Sequence, residues 1–183
     1  MVTIHIVDKN RKRSGAAIDI RLLGIHDAEA YRDLCLEAML NSPESYTSSY
    51  GEVKKQSVYT FKVRLQSENI FTFGAYSGDE LAGMITLMRE VRQKTAHRTA
   101  LFMLYVTPYE RGKGIGRQLI QTAVDHAKSL DGVEQINLSI IVNNSTLKRF
   151  CYAMGFSPIG VHKQAVKAGD HYYDEEHMIM LVH

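Results

Sequence analysis

Missing from this 183-residue chain is any apolar run near the roughly 20 residues that a membrane span needs. The opening Val2, Ile4, Ile6 and Val7 make too short a run for a secretory leader. Membrane and secreted classes are therefore not expected. Cysteine is scarce too: Cys35 and Cys151 have no CxxC spacing and fall in helix-like segments, so neither a disulfide framework nor a zinc site is indicated. Reduced thiols and a cytoplasmic address are the expectation, with no metal. An excess of one charge is also lacking. A formal net charge of +2, with Lys and Arg spread along the chain, gives no general basis for binding nucleic acid. The one local basic run, Lys9, Arg11, Lys12 and Arg13, reads as a solvated tail or loop. No repeat, low-complexity stretch or linker divides the chain, and 45% hydrophobic against 23% charged residues sustains a core, so a single domain is expected.

What is present is a regular alternation of strand and helix signals. Ile18, Ile20 and Leu22 alternate with Asp19 and Arg21 as a strand with one solvated face. Asp27 is placed to cap a helix carrying Ala28, Tyr31, Leu34, Cys35, Ala38 and Met39 on one side, and a second helix is expected over 51–67. Runs 70–76 and 81–88 form a hairpin around Ser77-Gly78-Asp79-Glu80. Leu101 to Val106 is continuously apolar, as in a central strand buried on both faces. A strongly amphipathic helix follows over 114–130, then a strand to Val142, a short helix stopped by Gly155, and a closing hairpin turning at Ala168-Gly169-Asp170. The order β α α β β β α β α β β implies an α/β protein with one mixed sheet flanked by helices.

Between the apolar strand and the amphipathic helix lies Val106-Thr107-Pro108-Tyr109-Glu110-Arg111-Gly112-Lys113-Gly114-Ile115-Gly116-Arg117. Three glycines at alternate positions let the backbone take positive φ and let a ligand approach without a Cβ in the way. The helix N-terminus adds unpaired N–H donors and partial positive charge. Arg111, Lys113 and Arg117 surround the same spot. The turn suits a phosphate or pyrophosphate, although glycine spacing alone also describes a flexible turn. Neither the dinucleotide fingerprint GxGxxG nor the Walker loop GxxxxGK[ST] fits it, which counts against nicotinamide cofactors and nucleoside triphosphates.

At these residues the chain resembles the GNAT acetyltransferases, whose pattern of Arg or Gln, two residues, Gly, one residue, Gly or Ala is met by Arg111, Gly114 and Gly116. The resemblance continues over Asn144 to Phe156, with an Asn, a short helix and a closing Gly155-Phe156. It implies the acyl-CoA N-acyltransferase fold, a central and mostly antiparallel mixed sheet, over residues 18–183, with 1–17 as an N-terminal extension. It also implies acetyl-coenzyme A as cosubstrate. Its pantetheine arm would lie along Leu104, Tyr105 and Val106, its pyrophosphate on the turn from Arg111 through Gly112, Lys113, Gly114, Ile115 and Gly116 to Arg117, and Asn144 would meet the arm unless it is a plain helix cap. A backbone N–H near Val106 would stabilise the oxyanion. Relatives are often dimers, so a homodimer is the assembly the resemblance points to.

The chain departs from the family at two places. Seven residues after the Asn, where the family commonly has a Tyr that protonates the departing thiolate, stands Cys151, followed by Tyr152. Tyr152 lies about 100° further round the helix and reaches that role only through a rotation or shift. Cys151 reads either as a proton donor or as a small packed hydrophobe. Five residues before the Asn, where relatives that acetylate protein N-termini carry a Glu, stands Ser139. The run Asp174-Glu175-Glu176-His177 either supplies a base, binds a cationic acceptor or is a solvated strand end. The leading expectation is acetyl transfer to the primary amine of a small molecule by direct attack in a ternary complex. The alternatives are a protein N-terminal or lysine acetyltransferase, or a silent acetyl-coenzyme A sensor. The acceptor pocket is expected around 40–60 and 170–177.

Overall fold

A computed structural model describes residues 17–182; the basic run Lys9 to Arg13 and the rest of the expected N-terminal extension before Ala17 lie outside the described residues. The strands are β1 (Ile18–Leu22), β2 (Ile70–Ser77), β3 (Glu80–Arg89), β4 (Arg98–Val106), β5 (Gln135–Ile141), β6 (Ser157–Ala168) and β7 (His171–Leu181). The helices are α1 (Ala28–Asn41), α2 (Tyr50–Lys55), α3 (Val58–Leu65), α4 (Ile115–Ser129) and α5 (Ser145–Ala153). The strands form one seven-stranded sheet in the order β1-β2-β3-β4-β5-β7-β6, in which only β4 and β5 run parallel. This is the expected mixed, mostly antiparallel sheet.

Period-two alternation sends neighbouring residues of β3 to opposite faces. Ile85 and Leu87 join α4 and α5 in one core with Leu119, Ile120, Val124 and Cys151, whereas Met84 packs on the other face with Tyr31, Phe61 and Val53 of α1, α3 and α2. Gly132 and Gly155, just past the ends of α4 and α5, are left-handed at φ 72° and 97°, and the stop expected at Gly155 is where α5 ends.

Three local expectations are corrected. The helix expected over 51–67 is two helices: Gln56 is extended at ψ 134°, and Ser57 begins α3 at ψ 158°. Asp27 occupies the N-cap position of α1 but its carboxylate does not cap the helix. It accepts instead from Arg21 at 2.8 Å through two nitrogens, from Gly24 N at 2.7 Å and from Tyr76 Oη at 2.7 Å. Finally, β4 is not buried on both faces, since Phe102 is 39% exposed while Leu101 and Tyr105 are buried. Its outer half is apolar because it lines a cavity.

Candidate active site

That cavity originates in how two strands part. β4 and β5 are paired from Arg98↔Gln135 to Leu101↔Leu138 and no further. Beyond that point β4 continues beside β3 alone, and β5 beside β7 alone. A bulge opens between the pairs Thr86↔Phe102 and Met84↔Tyr105, and in it Met103 takes φ 55°, a strained conformation for a side-chain-bearing residue. The result is a cavity of about 680 Å³ between the parted strands, within the usual range for a small-molecule site.

The expected pantetheine residues Leu104, Tyr105 and Val106 all line this cavity. Tyr46 reaches across to donate its hydroxyl to the Leu104 carbonyl at 2.9 Å. The Tyr105 phenol points away to α1, donating to Glu37 at 2.9 Å and accepting from Asn41 at 2.8 Å, and burial pushes its pKa up to about 12. Thr107 adds a second hydrogen bond to the same Glu37 oxygen, at 2.7 Å. The Tyr105 and Thr107 side chains therefore brace the strand against α1.

On the glycine turn, Arg111, Gly116 and Arg117 line the cavity. Arg111 Nε donates to the Val106 carbonyl at 2.9 Å, and the Arg117 guanidinium lies 5.8 Å from the centroid of the Phe150 ring. Gly112 and Gly114 have φ 79° and 80°, with no protein atom within 4 Å of where a Cβ would stand, so the left-handed backbone there faces open space. Lys113 is not among the lining residues and pairs with Glu110 at 2.6 Å. Ile115 is buried in the core and offers only its backbone to the first turn of α4. Open glycine backbone, a helix N-terminus and two lining arginines fit the pyrophosphate of acetyl-coenzyme A.

Asn144 is at once a cap and a cavity residue. Its Oδ1 accepts from Leu147 N at 3.1 Å, while its amide nitrogen has no hydrogen-bond partner among the described residues. Cys151 lines the cavity at 0% exposure, and burial raises its thiol to about 11. Tyr152 is 40% exposed, lies outside the cavity lining and reaches Glu176 at 3.3 Å. The structure thus brings Cys151, and not Tyr152, to the gap.

The acidic run divides among three surroundings. Asp174 pairs with Lys163 at 2.8 Å and accepts from Gln164 N at 2.8 Å, which hold its carboxyl below the usual range. Glu176 turns to the other face and pairs with Lys148 at 2.8 Å. Only Glu175 of the three lines the cavity, together with Ser139 and with Glu44, which sequence reasoning did not single out. A neighbouring cavity of about 580 Å³ is walled by Pro43, Tyr46 to Tyr50, Ala165 to Gly169 and Tyr173, and it shares Met39, Tyr46, Thr47 and Ser48 with the first. Tyr46 and the Glu37 network also escaped the sequence reading, because a lone Tyr or Glu on an ordinary helix or loop carries no local signal of what it touches.

The profile of the family described as Acetyltransferase (GNAT) domain matches residues 20–178. Among curated proteins, N-alpha-acetyltransferase 30 of Schizosaccharomyces pombe is 28% identical over 55% of this chain and 66% of its own. Spermidine N(1)-acetyltransferase of Vibrio cholerae is 26% identical over 56% of this chain and 60% of its own. The matched stretch therefore spans less than two thirds of either relative. Among solved structures, a GNAT-family acetyltransferase from Streptococcus pneumoniae superposes with a TM-score of 0.81 at 17% identity, covering 91% of this chain and 100% of that one. An acetyltransferase from Salmonella typhimurium, solved with its cofactor acetyl-CoA, gives 0.77 at 17% identity, with 91% and 94% covered. At such identities these structures speak for the fold alone. With a family match over nearly all the described residues and a parted sheet ending in the glycine turn, the chain belongs to the GNAT acetyltransferases.

Proposed function

We propose that the protein transfers an acetyl group from acetyl-coenzyme A to the primary amine of a small, cationic molecule, by direct attack with both substrates bound. The observation that carries this reading is the charge along one cavity. Arg111 and Arg117 line it from the glycine turn, and Glu44 and Glu175 line it from the segments that also wall the neighbouring cavity. Arginines there suit pyrophosphate; carboxylates lining the same cavity suit an ammonium group and disfavour anions.

Acetyl-coenzyme A supplies an acyl group already activated as a thioester. The chain's own residues hold and orient it: Arg111, Arg117 and the backbone from Gly112 to Gly116 on the phosphates, and Asn144 with the Leu104 to Val106 backbone along the arm. Nitrogen to carbon bond formation and carbon to sulfur cleavage release a thiolate and one amine proton, with no acyl-enzyme needed. Two substrates fixed in one gap gain much of the acceleration from proximity. Cys151 is poorly matched to protonating the thiolate, and we read it as packing.

A peptide N-terminus as acceptor is favoured by the 28% identity to N-alpha-acetyltransferase 30, while Ser139 at the strand position where such relatives carry a Glu speaks against it. Release of free coenzyme A, measured with matched small amines of different charge and with short peptides, tests both. Cationic amines should react best, with the preference weakened at raised salt, because charges are screened over about 8 Å at physiological ionic strength. Best rates on neutral or anionic amines, or on peptides, overturn the proposal; binding without turnover on any of them marks a sensor.

A further inference from the structure

Beside the gap, β6 and β7 bring together three side chains able to ligate a metal. His162 stands opposite Glu175 in the ladder, and His177 follows two residues along β7 on the same face. Their ligand atoms all lie within 4.8 Å of one another, and the two imidazoles stack with centroids 6.3 Å apart. The residue opposite His177 is Gly160, where no protein atom lies within 4 Å of a Cβ position, so no β6 side chain fills the space beside the cluster. The neighbours in sequence, Asp174 and Glu176, are each neutralised by a lysine. Among the described residues, the side chains of His162, Glu175 and His177 have no hydrogen bond or ion pair.

We propose that His162, Glu175 and His177 form a binding site for a transition-metal dication of the zinc type beside the cavity, which Glu175 also lines. Two imidazole nitrogens and one carboxylate oxygen are a donor set that Zn²⁺ accepts, with a further position left for water. The same nitrogen-rich set takes Co²⁺ more weakly, in line with the general order of divalent affinities. The ligands sit on two hydrogen-bonded strands, so little chain ordering opposes chelation. A dication here reverses the local charge at Glu175 and repels a cationic amine. Zinc therefore inhibits by competing with the acceptor, a consequence that rests on the function proposed above.

The test uses the full chain after chelator treatment, with Zn²⁺ followed by calorimetry and Co²⁺ by its visible absorption. One saturable site is expected, weakened at least about tenfold in each of His162→Ala, His177→Ala and Glu175→Gln, since even outer partners of metal ligands are worth that much. His171→Ala, at the start of the same strand but outside the cluster, should leave it unchanged. Melting curves of the metal-free variants should match the parent, because His162 is exposed and the other two are half-buried. Failure to bind with a Kd below about 1 mM, or binding indifferent to all three changes, overturns the site. In turnover assays Zn²⁺ should raise KM for the amine, and His162→Ala should keep its basal rate and escape inhibition; equal inhibition of parent and His162→Ala also overturns it. Binding is read without acetyl transfer, so loss of the metal site and loss of the proposed activity remain distinguishable.

Discussion

Replacing Cys151 with Ala asks whether a buried thiol can serve the departing thiolate. Burial raises this thiol to about 11, while an ordinary thiol titrates near 8.5, so the transfer is uphill by about 2.5 units, or roughly 3 kcal/mol. A donor so poorly matched contributes little, and water in the cavity replaces it. The expected result is a kcat within about threefold of the parent and an unchanged KM for acetyl-coenzyme A. The cost should appear in stability, about 0.5 to 3 kcal/mol for emptying part of a fully buried site, or a few degrees in Tm for a chain of this size. Steady-state kinetics with thiol detection, alongside thermal melts, gives both numbers. A loss on the order of 10²-fold in kcat, with normal folding and cofactor affinity, would refute the packing assignment and make Cys151 the acid.

Gly114→Val places a β-branched residue at φ 80°, so acetyl-coenzyme A binding should weaken by at least about tenfold in calorimetry; unchanged affinity in a normally folded variant removes the phosphate-cradle assignment. Arg117→Gln should raise the Kd for acetyl-coenzyme A by about 10- to 100-fold, the worth of a charge-assisted hydrogen bond, with kcat little changed. Arg21, the Gly24 N–H and Tyr76 hold the Asp27 carboxyl well below its unfolded value of about 3.9. That stabilisation is present above this pH and is lost as pH falls toward the depressed folded value. Asp27→Asn should therefore destabilise by about 1 to 3 kcal/mol in urea at pH 7, with the gap to the parent closing in more acidic buffer. Acetyl-coenzyme A at 100 times its Kd should stabilise the parent by about 2.7 kcal/mol in the same denaturation.

Much of the fold was legible because it is written in local periodicity. Ile115, Leu119, Ile120, Val124 and Ala127 mark one side of α4, and all are buried in the structure. The left-handed backbone at Gly112 and Gly114 was legible because positive φ demands glycine. What escaped notice depends on distant partners. The Gln56–Ser57 break between α2 and α3 passed unseen in a weakly patterned segment. Phe102 looked like the interior of a central strand, and nothing in the run Leu101 to Val106 says where β5 ends its pairing. Likewise, three consecutive acidic residues looked equivalent, yet alternation along β7 and two lysines far away in sequence leave only Glu175 facing the cavity. The cluster of His162 with Glu175 and His177 arises from cross-strand register and a bulge, which spacing along one strand does not reveal.

The parting of β4 from β5 has a mechanical side. Only four residue pairs, Arg98↔Gln135 to Leu101↔Leu138, stitch the antiparallel meander of β1 to β4 to the antiparallel trio of β5, β7 and β6. Past those pairs each half has an open inner edge, a row of peptide groups that in any other sheet would bind a neighbouring strand. An extended ligand carrying amides, if seated between the edges, would take the part of an eighth strand and tie the two halves together. Amide protons of Leu104 to Val106 and of Ser139 to Ile141 should then slow their exchange with solvent on binding, and the halves should unfold as one unit rather than two.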